Sequence, residues 1–123
     1  MARKNIESAI QKELVRWMAR EYPAVEILYV KNEGKKNIIE AQNDKRMGLA
    51  VGWPDLTLFK IYDNTTHILH LELKTKIGKL SASQKEWHSK FKQTKNRIAK
   101  VAYGFEEAQN VIRAWLSSLP KNN

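Results

Sequence analysis

A chain of 123 residues, 42% apolar with four tryptophans, has material for a folded core of one domain, 1–123. It contains no cysteine, which excludes disulfides, thiolate metal sites and a cysteine nucleophile. Net charge is +9, and between residues 73 and 100 nine Lys/Arg stand against one acid, Glu86, so +8 of the +9 lies there. Such a run points to a polyanionic partner, with a merely solvated basic helix face as the alternative. No apolar run approaches the roughly 20 residues that cross a bilayer, and the first residues lack a signal-peptide core. A soluble, cytoplasmic protein without a membrane partner is expected.

Asn5 is placed to cap a helix beginning near Ile6, and Pro23 ends it. Ile6, Ala9, Ile10, Leu14, Trp17 and Met18 recur on one face of that helix. Residues 26–31 read as a short strand, whose run of Ile27, Leu28, Tyr29 and Val30 predicts burial on both faces. The pattern weakens over 32–51, where a turn at Gly34 and a short helix over 38–47 are expected. Strands over 55–60 and 67–74 flank the turn residues Tyr62, Asp63, Asn64 and Thr65, giving a hairpin. Ser81 or Ser83 caps a helix running to about Lys95, with Gln84, Trp87, His88 and Phe91 on one stripe. A strand over 98–103 follows. A helix over 105–119 closes the chain, with Ala108, Val111, Ile112, Trp115, Leu116 and Leu119 inward. The expected class is α/β, in the order α-β-β-β-α-β-α.

Side chains two apart on a strand share a face, so Glu72 and Lys74 point one way and Leu69, Leu71 and Leu73 take the packed side. In a hairpin, the start of the first strand lies opposite the end of the second, which brings Asp55, Glu72 and Lys74 to one end of the sheet. Two carboxylates repel each other, and a cation cancels the repulsion. Mg²⁺ (or Mn²⁺) suits such a pair, because it takes oxygen ligands and retains several waters. The ion lowers the pKa of a bound water and stabilises charge growing on a phosphate. Lys74 can orient or deprotonate the attacking water, or stabilise the phosphate, and the Leu73 carbonyl can add an oxygen ligand. Inert ion pairing on an exposed strand is the alternative for the same three residues. His67 and His70 are expected at the strand surface and His88 packed. Trp53 either packs on the helix or stacks on a base. Gln84, an amide on an apolar stripe, needs a polar partner.

Gly52-Trp53-Pro54-Asp55-Leu56, Leu71-Glu72-Leu73-Lys74-Thr75 and Gly78-Lys79-Leu80-Ser81-Ala82-Ser83-Gln84 together resemble the VRR-NUC branch of the PD-(D/E)XK nucleases. Asn32-Glu33-Gly34 and Arg46-Met47-Gly48 are similar to that family as well, and the resemblance spans roughly residues 6–112. It implies a small mixed sheet flanked by helices and metal-dependent phosphodiester cleavage. Under it Asp55 and Glu72 hold the metal, Lys74 is the catalytic lysine, and Gln84 is a site residue. Glu7 matches an extra acid on the first helix, and Glu33 lies near the metal or the DNA. Free-standing members resemble Holliday-junction resolvases, which act as homodimers, while fused members act on flaps and crosslinked DNA. The sequence departs from the family where a Pro is common at Ala82 or Ser83 and a Gly near Asn96. Lys76, Lys79, Lys85 and Lys92, with Lys35 and Lys36, are expected as phosphate contacts. A four-way DNA junction cut by a homodimer is the leading expectation. Flap or restriction-type cleavage, an inactive basic DNA-binding module, and RNA binding are its alternatives.

Overall fold

A computed structural model describes residues 3–29, 42–43, 46, 52–75 and 78–120. The elements are α1 (Arg3–Glu21), β1 (Glu26–Tyr29), β2 (Leu56–Tyr62), β3 (Thr65–Lys74), α2 (Ala82–Phe91), β4 (Arg97–Tyr103) and α3 (Phe105–Ser118). They form a four-stranded sheet in the order β1-β2-β3-β4. β1–β2 and β2–β3 are antiparallel, and β3–β4 is parallel across the α2 crossover. The expected class and element order are therefore those found. None of the described helices is long and apolar enough to cross a membrane.

The hairpin turn at Asp63 and Asn64 has φ of 48° and 61°, the doubly left-handed geometry that matches strand twist and suits these two residues. Alternation then sorts the sheet into two faces. Leu56 and Leu58 of β2 and Leu69, Leu71 and Leu73 of β3 are buried on one face, against Leu14, Trp17 and Met18 of α1 and Ala108, Ile112 and Trp115 of α3. The opposite face carries Thr57, His70, Glu72 and Lys74, and Phe91 of α2 stacks there on His70.

Several expectations need correction. α1 runs from Arg3, so Asn5 lies inside its first turn rather than ahead of it. Ile6 and Ala9 are exposed, so the buried stripe of α1 starts only at Ile10. β1 is an edge strand of four residues, and Leu28 and Tyr29 are 52% and 51% exposed rather than buried on both faces. α2 stops at Phe91, short of Lys95. Its last carbonyls are satisfied by Gln93 and Thr94, and Asn96 at φ 60° turns the chain into β4. His67 and His70 are buried, because β3 is a central strand covered on both sides. Gln42, Asn43 and Arg46 have helical backbone within the expected helix over 38–47. Glu33, Lys35, Lys36, Met47, Gly48 and Lys76 lie outside the described residues.

The two departures from the family pattern now have a physical meaning. Ala82 is the first residue of α2, where a proline is tolerated because its missing N–H has no helical partner to lose. Asn96 occupies the left-handed region that favours glycine, and asparagine is among the few other residues that adopt it readily.

Candidate active site

The register pairs Leu56 with Leu71, so one step further Asp55 faces Glu72. Asp55 is half-buried, and its Oδ2 accepts the backbone N–H of Leu73 at 2.9 Å. In an antiparallel pair a residue's N–H and C=O leave by the same edge, so the Leu73 carbonyl is also turned to the Asp55 side. Continued once more, the register sets Leu73 opposite Pro54, which has no N–H to offer. The ladder itself thus supplies that carbonyl no donor.

Glu72 is only 2% exposed. Burial, then a hydrogen bond and like-charge repulsion from Asp55, push its carboxyl up to about 10, with Lys74 pulling the other way and Glu7 adding to the rise. At neutral pH, and without a cation, Glu72 therefore keeps its proton against Asp55. Its Oε1 is buried without a hydrogen-bond partner. Glu7 reaches this end of the sheet from the N-terminal turns of α1 and is felt by Glu72 electrostatically. Among the described residues, no three His, Cys, Asp or Glu side chains converge as a ligand cluster. Among the described residues, a metal shell here would rest on the Asp55–Glu72 pair.

The loop bearing Asp55 is held from behind. Gly52 has φ +80°, and a Cβ there would fall 2.5 Å from Ser83 Cβ and 2.7 Å from the Ser83 carbonyl carbon. Only glycine lets this loop press so closely on the start of α2. Pro54 is fully buried. Gly78 lies over the stem of Lys74, where a Cβ would sit 3.1 Å from Lys74 Cδ, and its N–H closes a turn onto Thr75 O at 2.9 Å.

Ser81 is the N-cap of α2. Its hydroxyl accepts the Gln84 N–H at 3.2 Å, and Gln84 Oε1 accepts the Ser81 N–H at 2.8 Å. The amide expected to need a partner finds one in this capping box. Trp53 packs edge-on against His70, Trp87 and Phe91, with ring centroids 5.1, 4.9 and 5.3 Å away. Lys79, Lys85 and Lys92 are exposed. His70 is pushed down to about 4 by burial, then by Arg97 and His88, and His88 is lowered by burial, then by Lys92. Both imidazoles are neutral at physiological pH. Thr57 and His70 also belong to this region, beyond the residues expected from the sequence. The signal for Thr57 and His70 was present, since each stands two residues from a site carboxylate on a strand.

A carboxylate at the head of one strand, Glu-x-Lys on its neighbour and a mixed sheet between helices define the PD-(D/E)XK class of nuclease. Residues 2–106 match the VRR-NUC domain, and the chain belongs to that family. A solved structure described as a VRR_NUC domain protein is similar, with a TM-score of 0.70 and 23% identity over 91% of this chain and 88% of that one. No curated protein matches. The protein is accordingly a nuclease of the PD-(D/E)XK type.

Proposed function

We propose that the protein is a Mg²⁺- or Mn²⁺-dependent endonuclease that cleaves phosphodiesters in branched DNA, four-way junctions foremost. One observation carries the metal dependence: two carboxyl groups are pressed together beside Lys74, with one kept protonated by burial and one of its oxygens left unpartnered. A divalent cation accepted by oxygen ligands would replace that proton and relieve both costs. Asp55 and Glu72 hold it, and the Leu73 carbonyl supplies a third oxygen. When bound, the ion activates a water and offsets charge on the phosphate.

Lys74, whose stem runs close beside Gly78, orients the attacking water or takes its proton, and then faces the charged phosphate. Glu7 adds negative potential that favours the cation, and Gln84 at the head of α2 borders the same site. Glu33, Lys35, Lys36 and Lys76, outside the described residues, are proposed from the family resemblance alone. Lys79, Lys85 and Lys92 contact backbone phosphates, which positions DNA without reading its sequence. Symmetric nicking of two strands requires two copies of a chain with one site, so the active form is a homodimer. Preference for junctions rests on the likeness to free-standing family members.

The test compares cleavage of a synthetic four-way junction, a flap and a linear duplex, with and without Mg²⁺. Fastest cleavage of the junction, lost without the ion and in Asp55→Ala, is the expected result. Faster cleavage of flap or duplex reassigns the substrate. No cleavage of any of the three leaves a basic DNA-binding module.

A further inference from the structure

The sheet face that carries Asp55 and Glu72 carries a second polar pair. Thr57 and His70 stand directly opposite each other, one alternation step behind the two carboxylates on the same two strands. They are 8% and 0% exposed. Thr57 Oγ1 lies 3.0 Å from His70 Nδ1. Whichever ring nitrogen bears the proton, the link is made, because a hydroxyl can donate or accept. The Trp53 indole N–H donates to the same Oγ1 at 3.4 Å, which ties the loop of residues 52–55 into the bond. His70 is in turn clamped, stacked on Phe91 at 4.0 Å and 14° with the edge of Trp53 beside it.

This arrangement is costly as packing. On the other face the same strands use the pairs Leu56–Leu71 and Leu58–Leu69, all fully buried and needing no polar partner. His70 Nε2 is buried with no hydrogen-bond partner, and leaving a buried polar atom unpaired costs as much as or more than the Thr57–His70 bond returns. Stability alone does not explain such a pair. A hydrogen bond fixes distance and direction, which apolar contact does not, and ligands around an ion must be held to within roughly 0.5 Å.

We propose that the Trp53–Thr57–His70 chain is a brace that sets the separation of the Asp55 and Glu72 carboxylates. It rests on the metal site proposed above. Its members touch neither ion nor phosphate. They are positioning residues, acting on Asp55 through the loop and on Glu72 through β3.

The experiment titrates Mn²⁺ into the full chain by calorimetry without DNA, and records thermal unfolding alongside. Thr57→Val keeps the shape and removes the hydroxyl, and it weakens Mn²⁺ binding about tenfold, as loss of a supporting contact around a metal typically does. Thr57→Ser keeps the link and stays within about twofold of wild type. Trp53→Phe severs only the loop end of the chain and gives a smaller loss, about threefold. Ile112→Val, in the core on the other face, lowers the unfolding temperature and leaves Mn²⁺ affinity unchanged, which separates positioning from general stability. Wild-type affinity in a folded Thr57→Val, or an equal loss in Thr57→Ser, overturns the brace. If Thr57→Val does not fold, Trp53→Phe decides: an unchanged affinity overturns the proposal. A wild type that titrates no differently from Asp55→Ala overturns the metal site itself, a signature distinct from failure of the brace.

Discussion

At the scale of single residues, the Glu72 carboxyl is the most informative group. Its pKa is raised from 4.5 to about 10, so the folded, metal-free protein binds one more proton than the unfolded chain between those values. That contribution to stability is whole below pH 4.5 and is lost as pH rises toward 10. Metal-free protein should unfold at steadily lower temperature across this window, Mn²⁺ should reverse the trend, and Glu72→Gln should flatten it. Denaturation midpoints at pH 5, 7 and 9 with and without Mn²⁺ check all three. His70 acts at the other end. Its pKa is lowered from 6.5 to about 4, so its contribution is present above 6.5 and is lost as pH falls toward 4. Under the proposed function Lys74 belongs to the chemistry and not to the fold. Lys74→Ala should lower the cleavage rate constant by about 10²–10³, the usual loss when one group stabilising a transition-state charge is removed, with junction binding retained. A gel-shift assay in Ca²⁺ beside a cleavage assay in Mg²⁺ separates the two effects.

At the scale of elements, the site is a junction of three pieces: the loop before β2, the end of β3 and the head of α2. Gly52 is the point where loop and helix touch. Gly52→Ala meets the Ser83 backbone and a left-handed φ together, so a loss of at least about 2 kcal/mol is expected, together with cleavage reduced beyond what stability explains. Urea denaturation and a rate measured well below the unfolding transition check this. Ser81 and Gln84 share one capping box but have different proposed reach. Ser81→Ala and Gln84→Ala should each cost about 1 kcal/mol of stability through the lost cap. Only Gln84→Ala should also slow cleavage. Equal rates in the two variants would leave Gln84 a capping residue and nothing more.

Much of this element scale was legible in the chain. The apolar alternation of β3, the turn residues of the hairpin and the Ser-x-x-Gln cap each lie within a few neighbouring residues. Their physics is local. The errors fell where the deciding contact was remote. The run at Ile27, Leu28, Tyr29 and Val30 suggested a doubly buried strand, yet β1 is an edge strand that only the sheet order reveals. His67 and His70 suggested surface polarity, yet β3 is covered on both faces, the His70 face by an α2 that arrives from later in the chain.

At the scale of the whole molecule, most of the net positive charge falls in the segment 73–100 that follows the acidic pair in the chain. Of the described basic residues in the 73–100 run, Lys79, Lys85, Lys90 and Lys92 stand on or next to α2 in the chain, while Arg97 pairs with Ile68, toward the far end of β3 from Glu72. Under the proposed function, this positive potential draws in a polyanion and a bound cation offsets the charge of the carboxyl pair. DNA affinity should therefore fall steeply with salt. Lys85→Ala and Lys92→Ala should each reduce the log–log salt slope by about 1 and weaken all DNA forms alike. Fluorescence anisotropy from 50 to 300 mM salt measures both, and a loss confined to one DNA form would contradict phosphate-only contact.

The sequence by itself determined the class of fold, the order of its elements, and the meeting of an acidic pair beside a lysine at one end of the sheet. Periodicity, turn chemistry and charge runs act between near neighbours and survive without coordinates. Tertiary structure decided which oxygen lacks a partner, why residue 52 must be glycine, and that Thr57 and His70 bond behind the carboxylates. Those facts depend on strand register and on helix packing across the sheet, where residues far apart in the chain meet within a few ångströms.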